Sequence, residues 1–115
     1  MKTKILSLSF VILFVGLISI SAQTSKTEKF KVYGNCDMCK GRIEKAATSI
    51  DGVSKATWDD KTKLLILAYN PAKTSPQKVQ VAIAKVGHDT EVEKAPDNSY
   101  NTLPQCCKYE RKKSK

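Results

Sequence analysis

Apolar and polar positions along the middle of the chain follow two periods, one of two residues and one of 3.6 residues. Residues 28–33 alternate, with Phe30 and Val32 on one face and Lys29 and Lys31 on the other, which predicts a half-buried strand. Two later segments carry apolar residues at the i, i+3, i+4 and i+7 positions, which predicts two amphipathic helices. These positions are Ile43, Ala46, Ala47 and Ile50 in the first helix, and Val79, Ala82, Ile83 and Val86 in the second.

Three more strands are predicted between and after these helices. Residues 53–58 and 63–69 flank a polar turn at residues 59–62 and predict a hairpin, whose second strand is apolar enough to be central in a sheet. Residues 88–95 predict a weak, polar strand at a sheet edge. The helix ends carry their usual signals, since Gly52 follows the first helix, Ser75 and Pro76 begin the second, and Gly87 ends it.

The resulting element order is β-α-β-β-α-β over residues 28–95. Right-handed crossovers then place both helices on one face of a four-stranded antiparallel sheet. The expected fold class is therefore α+β, a ferredoxin-like sandwich.

Residues 1–22 have the three parts of a secretory signal peptide. Two lysines come first, residues 5–20 are almost wholly apolar, and small residues lead to a cleavage position after Ala22. The alternative is an uncleaved membrane anchor, but the apolar run is short of the about 20 residues that a span requires. We therefore expect an exported protein, periplasmic or secreted, with no stable membrane anchor after cleavage and with residues 23–27 as a linker.

The 115-residue chain is basic, with a formal net charge of +9. Removal of residues 1–22 takes away Lys2 and Lys4 and no acids, which leaves +7. Much of the surplus lies in a tail, residues 96–115, that has no clear periodicity. Such a tail is typical of a solvated, disordered end, with contact to an anionic surface as the weaker alternative. The surplus is concentrated at the end of this tail, from residue 108 onward, where one acid, Glu110, stands among the basic residues Lys108, Arg111, Lys112, Lys113 and Lys115.

Four cysteines, Cys36, Cys39, Cys106 and Cys107, carry the candidate chemistry. Cys36 falls in the loop after the first strand and Cys39 in the first turn of the first helix, where free N–H groups and the helix dipole favour a thiolate. Thiolates select soft ions such as Cu(I) over hard cations. Two of them suffice for Cu(I) or Hg(II), whereas structural Zn(II) normally has four ligands. A plain Cys36–Cys39 disulfide and a redox dithiol are the alternatives, although such a disulfide closes a very short loop and stabilises little.

The run Gly34-Asn35-Cys36-Asp37-Met38-Cys39, followed by Arg42-Ile43-Glu44-Lys45-Ala46, resembles the heavy-metal-associated domain family. The resemblance extends over about residues 28–95, and that family includes copper chaperones, the amino-terminal domains of copper-transporting ATPases and the exported mercuric-ion binding protein. It implies that Cys36 and Cys39 bind the metal and pass it on by ligand exchange. The implied partner is a metal donor or acceptor, such as a metal-transporting ATPase or an efflux system.

This sequence departs from the family pattern beside the cysteine pair. The family usually has Gly-Met-x-Cys before its first thiol, whereas Gly34-Asn35-Cys36 is one residue shorter and lacks that methionine. Met38 is expected to fill the same gap in the core, with a thioether beside the metal as the alternative. His88 falls at the same end of the sheet as the cysteine loop. It is a candidate third ligand, or a group that tunes metal release by protonating between about pH 6 and 7, with an exposed edge-strand histidine as the alternative.

Cys106 and Cys107 are adjacent, and adjacent cysteines rarely bridge to each other because the geometry is strained. They could fold back and complete a four-thiolate metal site with the first pair, or form disulfides within or between chains. Tyr100 and Leu103 would dock a tail that folds back. The expected assembly is a monomer, or a metal- or disulfide-linked dimer.

Other function classes fit less well. Some RNA-binding domains share this element order, but residues 63–69 lack the Lys/Arg-Gly-Phe/Tyr-Gly signature, and export removes the substrate. The chain has a single His and no Gly-rich phosphate loop, so we predict no enzyme activity and no nucleic-acid partner. The expected function is to relay or sequester a soft ion, with Cu(I) first and Hg(II) or Zn(II) as alternatives. Thiol–disulfide exchange at the same cysteine pair is the other hypothesis.

Overall fold

The computed structural model describes residues 24–111. The predicted signal peptide and the last four residues lie outside this range. Within it, no helix is both long and apolar enough to cross a membrane. The elements are β1 (Lys26–Lys31), α1 (Asp37–Thr48), β2 (Val53–Trp58), β3 (Leu64–Tyr69), α2 (Pro76–Lys85), α3 (Asp97–Asn101) and a 3₁₀ turn (Gln105–Cys107).

The three strands form one antiparallel sheet in the order β1-β3-β2, with the apolar β3 in the centre as predicted. Phe30 and Trp58 both pair with Leu65 from opposite sides, which fixes the register. Because side chains alternate along a strand, this register turns the buried residues of all three strands to the same face. Lys26 and Thr27 also pair with β3, so the sheet begins inside the predicted linker.

The predicted fourth strand is not confirmed. Within residues 24–111, the segment 88–95 contributes only an isolated antiparallel bridge, between Thr90 and Val32. Two backbone hydrogen bonds of 2.9 Å join the segment to the edge of the sheet, from the Tyr33 N–H to the Asp89 carbonyl and from the Glu91 N–H to the Lys31 carbonyl. The segment also bonds to itself: the Thr90 N–H donates to the Glu93 carbonyl at 2.7 Å, and the Ala95 N–H donates to an Asp89 carboxylate oxygen at 2.7 Å. These local bonds close a turn where a longer ladder would have run, since Asp and Thr side chains compete with sheet pairing.

Both predicted helices form and pack against the sheet. The Ser75 hydroxyl accepts a hydrogen bond from the Lys78 N–H at 3.3 Å, and Pro76 stands at the first helical position, as the sequence indicates. The core between helices and sheet includes Trp58, whose indole N–H donates to the Val32 carbonyl at 3.0 Å. The largest fully buried side chains are Trp58, Ile43, Leu65, Leu67 and Ile83.

The tail is folded onto this core as far as residue 111, so the expectation of a solvated end is wrong for that part. Leu103 and Tyr109 are buried and Tyr100 is half-buried against the core. The predicted docking role of Tyr100 and Leu103 is therefore confirmed. Leu103 lies over Gly87, where an added Cβ would sit 2.9 Å from the Leu103 Cδ2 and 2.9 Å from the Ser99 carbonyl oxygen.

This close approach predicts that Gly87→Ala loosens the tail. Gly87 has φ +109°, which a side chain rarely adopts, and the new methyl group would also strike the tail. We expect the free energy of unfolding to fall by about 2 kcal/mol or more, as measured by urea denaturation. Gly41→Ala is the matched control, because nothing lies within 4 Å of its Cβ position. That helical change should leave the stability equal or raise it by up to about 1 kcal/mol. Equal denaturation midpoints for Gly87→Ala and the unmodified chain would contradict the close packing of Leu103 and Ser99 against Gly87.

Candidate metal centre

The first cysteine pair lies at the start of α1. Cys36 is the N-cap, with extended backbone (φ −140°, ψ 179°), and Cys39 is buried in the first turn. Their sulfur atoms are 3.7 Å apart, and the Asn35 N–H points at the Cys39 Sγ at 3.4 Å. Within the described residues all four cysteines are free thiols. The pair therefore presents two sulfur donors at a helix start, the position expected from the sequence.

The folded tail brings the second pair to the same place. The Cys107 Sγ lies 3.8 Å from the Cys36 Sγ, although 71 positions separate the two residues. The sulfur atoms of Cys36, Cys106 and Cys107 all lie within 4.8 Å of one another. Cys107 is buried, Cys36 is half-buried and Cys106 is exposed, so the cluster has one open side.

Met38 lies on that open side, and its expected role as a core filler is wrong. Its side chain is 57% exposed, and its thioether sulfur is 3.4 Å from the Cys106 Sγ. The space beside the cysteine loop is already filled by Trp58, whose ring would lie 3.1 Å from a Cβ at Gly34. The alternative, a thioether beside the thiol groups, is the arrangement observed.

His88 is not an exposed edge residue. It is fully buried, and its Nδ1 lies 2.8 Å from the Tyr33 carbonyl oxygen, so that nitrogen forms a hydrogen bond with the backbone. Its Nε2 has no hydrogen-bond partner among the described residues. Burial lowers the pKa of His88, against the opposing effect of the Tyr33 carbonyl. His88 is not a member of the three-thiol set, and its role as a third ligand stays a prediction.

Two residues that the sequence did not single out hold the tail in place. The Tyr109 hydroxyl donates to the Gly87 carbonyl at 2.8 Å and accepts from the Asp89 N–H at 2.7 Å, while its ring stacks on His88 with centroids 5.6 Å apart. Arg111 donates to both Asp89 carboxylate oxygens, at 2.9 and 2.7 Å. In the sequence, nothing distinguishes Arg111 from the lysines around it as an anchoring residue. Tyr109, a lone aromatic residue in a basic run, is the one sequence signal that this part of the tail packs against the core.

The thiols differ in acidity. Hydrogen bonding from the Cys39 backbone N–H, with smaller help from Cys106 and Cys39 thiols, lowers the pKa of Cys36 to about 7. The hydrogen bond to Cys36 raises the pKa of Cys106, and burial raises the pKa of Cys107 well above its usual range. Of these three thiols, Cys36 therefore ionises at the lowest pH.

Solved structures confirm the fold. The CopZ metallochaperone is 29% identical and superimposes with a TM-score of 0.55 over 56% of this chain and 98% of its own. Oxidized MerP from Ralstonia metallidurans CH34 is 31% identical, with a TM-score of 0.56 over 61% of this chain and 99% of its own. The chain belongs to the heavy-metal-associated domain family. No model of a protein family matches the sequence.

Other relatives of this heavy-metal-associated domain are parts of much larger proteins. The copper-exporting P-type ATPase of Staphylococcus saprophyticus is 35% identical over 71 residues, which are 61% of this chain. The chain spans only 9% of that ATPase. The N-terminal domain of a potential copper-translocating P-type ATPase from Bacillus subtilis, solved in the Cu(I)-loaded state, is 27% identical with a TM-score of 0.56. The likeness to the ATPases is therefore a likeness to one domain.

The acidity of Cys36 predicts the pH dependence of alkylation in the reduced, metal-free heavy-metal-associated domain. A lowered pKa means that the reactive thiolate is present above about pH 7 and is lost as the pH falls below it. Iodoacetamide labelling followed by mass spectrometry should give a Cys36 rate profile with its midpoint at about pH 7. Cys107 should stay unlabelled at that pH, since it is buried and its pKa is raised. A Cys36 midpoint at the ordinary thiol value, about 8.5, would contradict this electrostatic description.

Proposed function

We propose that this protein binds a soft metal ion, with Cu(I) as the expected cargo, between Cys36 and Cys39 and passes it to a partner by ligand exchange. The observation that supports this most is the pair of free sulfur atoms 3.7 Å apart at the start of α1. Thiolate donors favour Cu(I) over hard cations, and relatives of this fold include copper-loaded domains. Hg(II) and Zn(II) are the competing ions.

The surroundings suit capture and release. Cys39 is buried and anchored by the first turn of α1, whereas Cys36 is half-buried in the preceding loop. An incoming thiolate can therefore approach the ion from the side of Cys36 while Cys39 still holds it. The lowered pKa of Cys36, about 7, leaves about half of this thiol ionised at neutral pH, so protons compete less with the metal than they do at an ordinary thiol.

Copper titration tests the site. The reduced chain carrying Cys106→Ser and Cys107→Ser, in which only the first pair of thiols remains, should bind Cu(I) tightly in competition with a chelator. Adding either Cys36→Ser or Cys39→Ser should weaken that binding by at least about 100-fold, because one remaining thiolate is a poor clamp. Ser49→Ala, at the far end of α1, is the control and should bind as the unmodified chain does. Parallel titrations with Zn(II) and Hg(II) compare the affinities of the site for the three ions. Unchanged Cu(I) affinity on adding Cys36→Ser would refute the proposed clamp, and transfer to a metal-binding domain of a copper-exporting ATPase would support the proposed partner.

We further propose that the protein is exported, on the strength of residues 1–22. Expressed in a bacterial host, the chain should be recovered outside the cytoplasm with Gln23 as its first residue, as read by mass spectrometry. A control with Leu13→Arg and Val15→Arg interrupts the apolar run and should stay inside with its first 22 residues intact. Recovery of the unmodified chain only in the cytoplasm would overturn the proposal.

A further inference from the structure

The four thiol sulfur atoms are not all within 4.8 Å of one another. The two short separations, Cys36 to Cys39 at 3.7 Å and Cys36 to Cys107 at 3.8 Å, share Cys36. Cys36, Cys106 and Cys107 form a set with all sulfur atoms within 4.8 Å of one another, and Cys39 is not a member of it. One tetrahedral ion with bonds of about 2.3 Å would need every pair of sulfur atoms about 3.8 Å apart. Cys36 therefore belongs to both groups of donors, the pair with Cys39 and the set with Cys106 and Cys107, and the Cys39 and Cys107 thiols also interact.

The first group by itself leaves an ion with room for another ligand. Metal–sulfur bonds of about 2.3 Å would put two sulfur atoms about 4.6 Å apart around a linear ion. The observed 3.7 Å between Cys36 and Cys39 corresponds to a bent arrangement. A bent pair is open on one side, and in this protein the sulfur of Cys107 lies 3.8 Å from that of Cys36.

The second group has its own soft donors and its own access. The Met38 thioether sulfur lies 3.4 Å from the Cys106 Sγ, and thioethers, like thiolates, select Cu(I). Met38 and Cys106 are exposed, whereas Cys107 is buried beneath them. An ion can therefore reach this group from solvent without disturbing Cys39.

We infer that Cys36, Cys106 and Cys107 form a second Cu(I) site, with Met38 beside it, and that the Cys36 thiolate bridges its ion to the one held with Cys39. The inference rests on the proposed function of the first pair. Four thiolates around one Cu(I) would leave more uncompensated negative charge in a half-buried site than four thiolates around two, and such charge is costly away from water. Each thiol that binds releases its proton to solvent, and no change of oxidation state is involved.

Stoichiometry tests the second site. The reduced full chain, titrated anaerobically with Cu(I) against a chelator, should bind about two ions, and Cys106→Ser with Cys107→Ser should bind about one. Cys106→Ser alone changes an exposed residue and should weaken only the second ion, which keeps the test valid if the loss of buried Cys107 disturbs folding. X-ray absorption should show a Cu–Cu distance in the unmodified chain and none in the double variant. Gln105→Ser, an exposed neighbour without sulfur, is the control and should match the unmodified chain.

The outcomes separate this inference from the proposed function. If the unmodified chain and the double variant both bind about one ion with equal affinity, the second site is refuted and the first pair stands. If the unmodified chain binds one ion that the double variant binds more weakly, all the thiols serve a single ion and the two-ion cluster is again refuted. Loss of all tight binding in a folded double variant would instead refute the Cys36–Cys39 clamp.

Discussion

The ion pair between Arg111 and Asp89 is the contact on which the shape of the candidate site depends. Both carboxylate oxygens of Asp89 accept from the guanidinium, and Arg111 donates as well to the Ala95 carbonyl at 2.6 Å and to Asp97 at 2.8 Å. The paired side chains are only 16% and 12% exposed, so water competes weakly with these bonds. Burial pushes the pKa of Asp89 upward, but the bonds from Arg111 and the Ala95 N–H outweigh it and hold that pKa below its usual value. The tail is therefore fixed four residues beyond Cys107.

A second set of contacts fixes the tail on the other side of its cysteines. Leu103 is buried against Gly87, and the Tyr100 hydroxyl donates to the Tyr109 carbonyl at 2.6 Å. Cys106 and Cys107 stand between these two anchors, in a short 3₁₀ turn. Side chains held from both sides lose less conformational entropy when they bind a ligand, so the second pair is preorganised in the same sense as the first.

The sequence was sufficient for the parts of the fold that local patterns determine. Helical spacing placed both helices, and the apolar run of β3 placed the centre of the sheet. The turn at residues 88–95 could not be predicted from the sequence. It depends on the hydrogen-bond partners of Asp89 and Thr90, some of which lie within the segment and some in other parts of the folded chain. The prediction of a solvated tail was wrong for a similar reason. A basic run is usually exposed to solvent, but Arg111 forms an ion pair with Asp89, and only the folded chain brings those two residues together.

The tail contacts also decide how the two cysteine pairs can influence each other. Cys36 is the N-cap of α1 and Cys107 lies in the tail, so an ion bound to both would connect those segments and would stabilise tail docking by the difference between its affinities for the docked and the undocked chain. Linkage is reciprocal, and a docked tail must strengthen the hold on that ion by the same amount. The proposed acceptor, if it takes the ion through Cys36, would have to overcome this coupling as well as the metal–sulfur bonds. In the proposed two-ion cluster, a docked tail would therefore hold the second ion more tightly, and undocking of Arg111 from Asp89 would favour its release.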